Sequence, residues 1–116
     1  MGSMLSALAT RVAGGATVQF RPAGSSMAPV VRSRAQVTVA PVDPTKLEVG
    51  DIVLARVAGR VYLHLVSALD RGRGRVQISN NRDRVNGWTA HEPVYGICVA
   101  VGGRPRRVRP SSSAST

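Results

Sequence analysis

Two apolar runs, DIVLARV (51–57) and RVYLHLV (60–66), are separated only by Ala58 and Gly59. Each is too short for a stable helix, and both are rich in Val, Leu and Ile, side chains that pack well on a pleated surface. A two-residue gap containing glycine forces a tight reversal, so the spacing predicts a β-hairpin over 51–66. Strand-like pieces flank it: TVQFR (17–21), QVTVAP (36–41), RVQISN (75–80) and VYGICVAV (94–101). Pro41 and Pro44 halt the second of these.

The connections are turn-rich. GSSMAP (24–29), RSRA (32–35) and LDRGRGR (69–75) concentrate Gly, Ser, Pro and Arg, and KLEVGD (46–51) leads into the hairpin, with Asp51 in the turn that starts it. NNRDRVNGWTAHEP (80–93) has no period of 2 or 3.6 and reads as loop, with Asn86-Gly87 as a tight turn. Short strands at regular spacing predict a mainly β fold, a partly open, coiled barrel or sandwich with few short helical turns.

A chain of 116 residues supports one core. Residues 1–16 read as a flexible or short helical segment of at most two turns, ended by Gly14 and Gly15. The β-domain is expected over 17–101. GGRPRRVRPSSSAST (102–116) has little to bury and is expected to be disordered.

The net charge is +10, and fifteen of the sixteen basic residues are arginine, Lys46 being the exception. Such a balance suits phosphates, acidic proteins or anionic surfaces, so nucleic acid stays open as a partner. GC-rich coding raises Arg usage just as well, and the chain lacks the recognition helix or aromatic platform that nucleic-acid readers use. Cys98, the one cysteine, admits no internal disulfide and reads as a small buried hydrophobe in VYGICVAV. The apolar run from Met4 to Ala9 is too short for a signal-peptide core or a membrane span, and arginines interrupt every longer window. These features predict a cytoplasmic protein that does not enter a membrane. His64, His91, Glu92 and Cys98 lack metal-ligand spacing, so neither metal nor cofactor is expected. Trp88 reads as a packing anchor or as a surface for stacking.

Strand alternation places Arg60, Tyr62, His64 and Val66 on one face, away from the apolar row of Val61, Leu63 and Leu65. A histidine there is an ordinary hydrogen-bonded residue unless a nucleophile accompanies it. Ser25 and Ser26 in GSSMAP supply hydroxyls, though short serine motifs more often shape turns than catalyse.

The order GSSMAP, QVTVAP, GDIVLARV (50–57), VYLHLV (61–66) and VYGICVAV resembles the layout of the LexA-like and signal-peptidase superfamily of serine peptidases, over about residues 18–101. The resemblance implies Ser26 as nucleophile and His64 as the base, where LexA-type and bacterial signal peptidases carry lysine and those of archaea and the endoplasmic reticulum carry histidine. Histidine needs little pKa tuning for that task. The loop Gly24, Ser25, Ser26 and Met27 is then the oxyanion and substrate loop, with the Ser26 amide as a donor. The orienting acid of histidine-type members follows the next strand in a G-D-N-type motif. In its place stand Ser79, Asn80 and Asn81, so Asp83 from a shifted position, Asn80 through a neutral hydrogen bond, or no residue fills the role. The resemblance also implies a polypeptide substrate or protein partner bound as an added β-strand, with a homodimer among the outcomes. Self-cleavage at Ala13-Gly14 is cramped by the short connection to Ser26. A peptidase-like fold kept for binding is the alternative.

Overall fold

The computed structural model describes residues 4–22, 35–81 and 84–106. Ten residues at the N-terminus form α1, Met4–Ala13. Leu5, Leu8, Ala9 and Val12 recur at helical spacing and bury one stripe. The helix ends in a Schellman motif, in which the Ala16 amide donates to Arg11 O at 3.1 Å and the Gly15 amide to Val12 O at 2.9 Å. Gly15 has φ +103°, a conformation that favours glycine. A short helix stopped at Gly14 and Gly15 is as expected, and the limit of two turns is corrected. The helix is longer, because its stripe finds apolar sheet to cover.

Among the described residues eight strands follow: β1 Val18–Phe20, β2 Val37–Pro41, β3 Ile52–Val57, β4 Arg60–Asp70, β5 Arg75–Ser79, β6 Val85–Ala90, β7 Val94–Val101 and β8 Arg104–Pro105, with one 3-10 turn at Pro44–Lys46. They make one antiparallel sheet in the order β1-β2-β7-β3-β4-β5-β6, with β8 on β7. The predicted hairpin is β3–β4, in register from Ile52 opposite Leu65 to Val57 opposite Arg60. Ala58 and Gly59 have φ of +51° and +84°, the two positive angles of a type I′ turn.

The sheet has a core on each face. On one side α1 covers Val18, Val37, Val39, Ile52, Leu54 and Leu63. On the other, Val53, Val57, Val66, Val76, Ile78 and Ile97 pack together because the sheet curls. The Thr89 hydroxyl of β6 donates to Arg56 O of β3 at 2.9 Å across a curl of the open sheet that holds β4 and β5 between them. The fold is mainly β, as the short alternating runs predict.

Two expectations are corrected. Residues 85–90 form β6, the edge strand beyond β5, and Asn86-Gly87 lies inside it rather than in a tight turn. Only Thr89 of that strand is buried, so no apolar alternation announces it; pairing with β5 holds it in place. The ordered chain also runs past residue 101. Gly102 and Gly103 turn it back, β8 pairs with β7, the Arg106 amide donates to Val99 O at 2.8 Å, and its guanidinium donates to Gly50 O at 3.2 Å. The expectation for residues 107–116 lies outside the described residues.

Candidate functional site

His64 sits in β4 opposite Val53 of β3. It faces away from the α1-covered core, as alternation predicts, and is only 8% exposed. Its ring stacks on Tyr62, two residues earlier on the same face, with centroids 4.8 Å apart and planes at 24°. Nδ1 lies 2.6 Å from Oδ1 of Asn86. An amide oxygen only accepts, so Nδ1 carries the proton, and the neutral ring keeps its lone pair on Nε2.

A β-bulge delivers Asn86 to this position. Along β5–β6, Ser79 pairs with Val85 and Ile78 with Gly87, so Asn86 is the extra residue between them. Gly87 follows with φ +139°, and a Cβ there would meet Val57 Cγ1 at 3.2 Å. Freed from the ladder alternation, the Asn86 side chain reaches past β5 to β4. A second bulge, at Ser67 of β4, turns that hydroxyl onto Ser79 Oγ at 2.6 Å. Ser67, Ser79, Leu65 and Asn80 line a cleft of about 340 Å³. Val49 and Val85, 61% and 52% exposed, also line it, so its walls are apolar and part of its surface carries hydroxyls.

Asn86 is the residue bonded to His64 that sequence reasoning missed. Its signal, an Asn-Gly pair, points equally to a turn. Asn80 closes the β5–β6 connection, its Oδ1 accepting from the Arg84 backbone amide at 3.0 Å and its backbone N–H donating to Arg84 O at 2.9 Å. Ser26, with Gly24, Ser25 and Met27 of its loop, and Asp83 lie outside the described residues. Asp51 is placed as expected, its Oδ2 accepting from the Glu48 amide at 2.9 Å in the turn before β3. Trp88 is 43% exposed on the edge strand, which corrects its reading as a packing anchor. Cys98 is buried, and its burial pushes the thiol pKa up. Among the described residues no three His, Cys, Asp or Glu side chains are grouped to hold a metal, and no helix is long and apolar enough to cross a membrane.

Burial lowers the His64 pKa from the usual 6.5, and the hydrogen bond to Asn86 opposes the shift without cancelling it. The unfolded chain therefore binds the proton more readily than the fold does. Stability from this group is complete above the unfolded value and is lost as pH falls through the window down to the folded-state value. Thermal melts from neutral to mildly acid pH are expected to show a declining Tm in the wild type and a shallower decline in His64→Phe. Equal slopes would show that His64 is not the group responsible.

Comparison of the chain with protein-family models, curated proteins and solved structures finds no match.

Proposed function

We propose that the protein is a small cytoplasmic serine endopeptidase in which Ser26 attacks the scissile carbonyl and His64 accepts its proton. The observation that carries this reading is the pairing of His64 Nδ1–H with Asn86, which leaves Nε2 as the basic nitrogen of a buried ring. Two fixed contacts, the Tyr62 stack and the Asn86 carbonyl, restrain that ring as a general base requires. Membership of the LexA-like and signal-peptidase superfamily is part of the proposal and rests on the motif order given above. So do the substrate, a polypeptide bound as an added β-strand, and the use of the Ser26 amide in the oxyanion hole.

A second reading, a peptidase-like fold that binds a protein partner or a second copy without cutting it, is favoured by one specific feature. The orienting group is a neutral amide, and a neutral partner stabilises the imidazolium that forms when the serine is deprotonated less than a carboxylate does.

A fluorophosphonate probe separates the two. Wild type is expected to be labelled, with a rate that rises as His64 loses its proton and a midpoint below the usual 6.5 because burial disfavours the charged ring. Ser26→Ala is expected to take no label. Absence of labelling in the wild type at mildly alkaline pH would establish the binding module instead.

A further inference from the structure

Asn86 and Gly87 form the one Asn-Gly pair in the chain, and they stand where the candidate base is held. An asparagine followed by glycine carries its own nucleophile, since the next backbone nitrogen closes a five-membered ring on the side-chain carbonyl carbon and glycine has no Cβ to hinder it. Asn80 and Asn81, the other asparagines, are followed by Asn81 and Arg82, whose side chains crowd that approach.

Three features of the fold add to the intrinsic chemistry. β6 is a sheet edge, so opening it breaks pairing on one side only. The bulge leaves Asn86 without a residue opposite it in the ladder. His64 Nδ1 lies 2.6 Å from Oδ1, the oxygen that becomes an oxyanion when the carbonyl carbon is attacked, and a donor aimed there stabilises the developing charge.

We propose that Asn86 is a self-modification site at which deamidation converts the neutral partner of His64 into a carboxylate. The Gly87 nitrogen attacks Cγ of Asn86 and forms an N–Cγ bond. The Cγ–Nδ2 bond breaks, and ammonia leaves with the proton from the Gly87 amide. Solvent water opens the cyclic imide: cleavage of the N–Cγ bond restores the main chain and leaves aspartate, while cleavage at the main-chain carbonyl leaves isoaspartate. Nothing is oxidised or reduced. In the aspartate form a carboxylate faces Nδ1–H, where it holds the tautomer and stabilises the imidazolium. The modification stands independently of the peptidase reading; its effect on catalysis rests on that reading.

The test is incubation of the intact chain in mildly alkaline buffer at physiological temperature, followed by peptide mapping. A mass gain of ~1 Da is expected at residue 86 before either Asn80 or Asn81, with release of ammonia. In His64→Phe, which keeps the Asn-Gly pair and removes the donor, the conversion is expected to be slower. An unmodified residue 86, or conversion no faster there than at Asn80 and Asn81, overturns the proposal; equal rates in the two proteins overturn the assistance by His64. Separately, Asn86→Asp is expected to raise the His64 titration, followed by NMR, by about one unit or more. An unchanged titration refutes the altered site. A raised titration with no fluorophosphonate labelling of either form refutes the peptidase reading and leaves the modification standing.

Discussion

Asn86→Leu is expected to slow fluorophosphonate labelling of the protein by up to about 10,000-fold, the loss that follows when a catalytic histidine is left in the wrong tautomer. Leucine is close to asparagine in size and shape, so the bulge and the β5–β6 ladder have no steric reason to change. What disappears is the acceptor 2.6 Å from His64 Nδ1. Without it the proton can sit on either nitrogen, and the tautomer protonated at Nε2 cannot take a proton from serine. The unpaired N–H in a buried ring also costs stability, on the order of 1–3 kcal/mol. A purely structural role for Asn86 would lower Tm and leave the labelling rate of the folded fraction and its pH profile unchanged. Rescue of that rate by Asn86→Asp, with the profile moved upward, would identify Asn86 as a positioning residue. Full reactivity in the folded leucine variant would remove it from the site.

The elements most legible in the sequence are those in which local and long-range forces agree. DIVLARV and RVYLHLV are apolar runs that flank a glycine-containing pair and bury residues on both faces, so turn chemistry and packing select the same hairpin. VYGICVAV became β7 at the predicted residues because it lies between β2 and β3, where an apolar run is buried on both sides. β6 is the opposite case. Its side chains from Val85 to Ala90 show no apolar period, since an edge strand needs only its ladder, and its glycine and asparagine serve a bulge rather than a turn. The orienting residue was hidden for the same reason. A bulge inserts one residue and redirects a side chain toward a partner 22 positions away, and nothing in the local pattern encodes that distance. His64 itself was legible as a candidate, but its burial, to 8% exposure, was not, because alternation along β4 says only which face it takes.

Part of the basic excess has a structural use that composition alone does not suggest. Arg71 donates to Thr45 O and Leu47 O at 3.0 and 2.8 Å, tying the β4–β5 turn to the 3-10 segment. Arg106 donates to Gly50 O, and Arg56 to Tyr95 Oη at 3.1 Å and Gly59 O at 3.3 Å. A guanidinium spans several acceptors with fixed geometry, which a lysine cannot do. In a small sheet with many turns, these three arginines serve the fold by tying down carbonyls near strand ends and turns.

The largest effect on stability is expected at Gly96→Ala. Gly96 lies in β7 between β2 and β3, and a Cβ built there would meet Ala40 O and Val12 Cγ1 at 2.6 Å and Val39 Cγ1 at 2.8 Å. The glycine is required for close approach: α1 seats Val12 directly on the β7 backbone, and a methyl group would need the space that Val12 occupies. Overpacking of this kind costs about 1–3 kcal/mol when the neighbours can shift. Here one neighbour is the Ala40 carbonyl, held in the β2–β7 ladder, so the cost is expected at the upper end, about 3 kcal/mol, or a fall in Tm of about 10–20 °C for a domain of this size. The double variant Gly96→Ala, Val12→Ala is expected to be more stable than the sum of its single changes, because the shortened side chain relieves the clash with α1. It cannot reach wild type, since the Ala40 oxygen remains in place and Val12 no longer fills the core. Strict additivity would mean that the helix does not rest on β7 at this point, and a Tm for Gly96→Ala equal to that of the wild type would contradict the packing of α1 on the sheet.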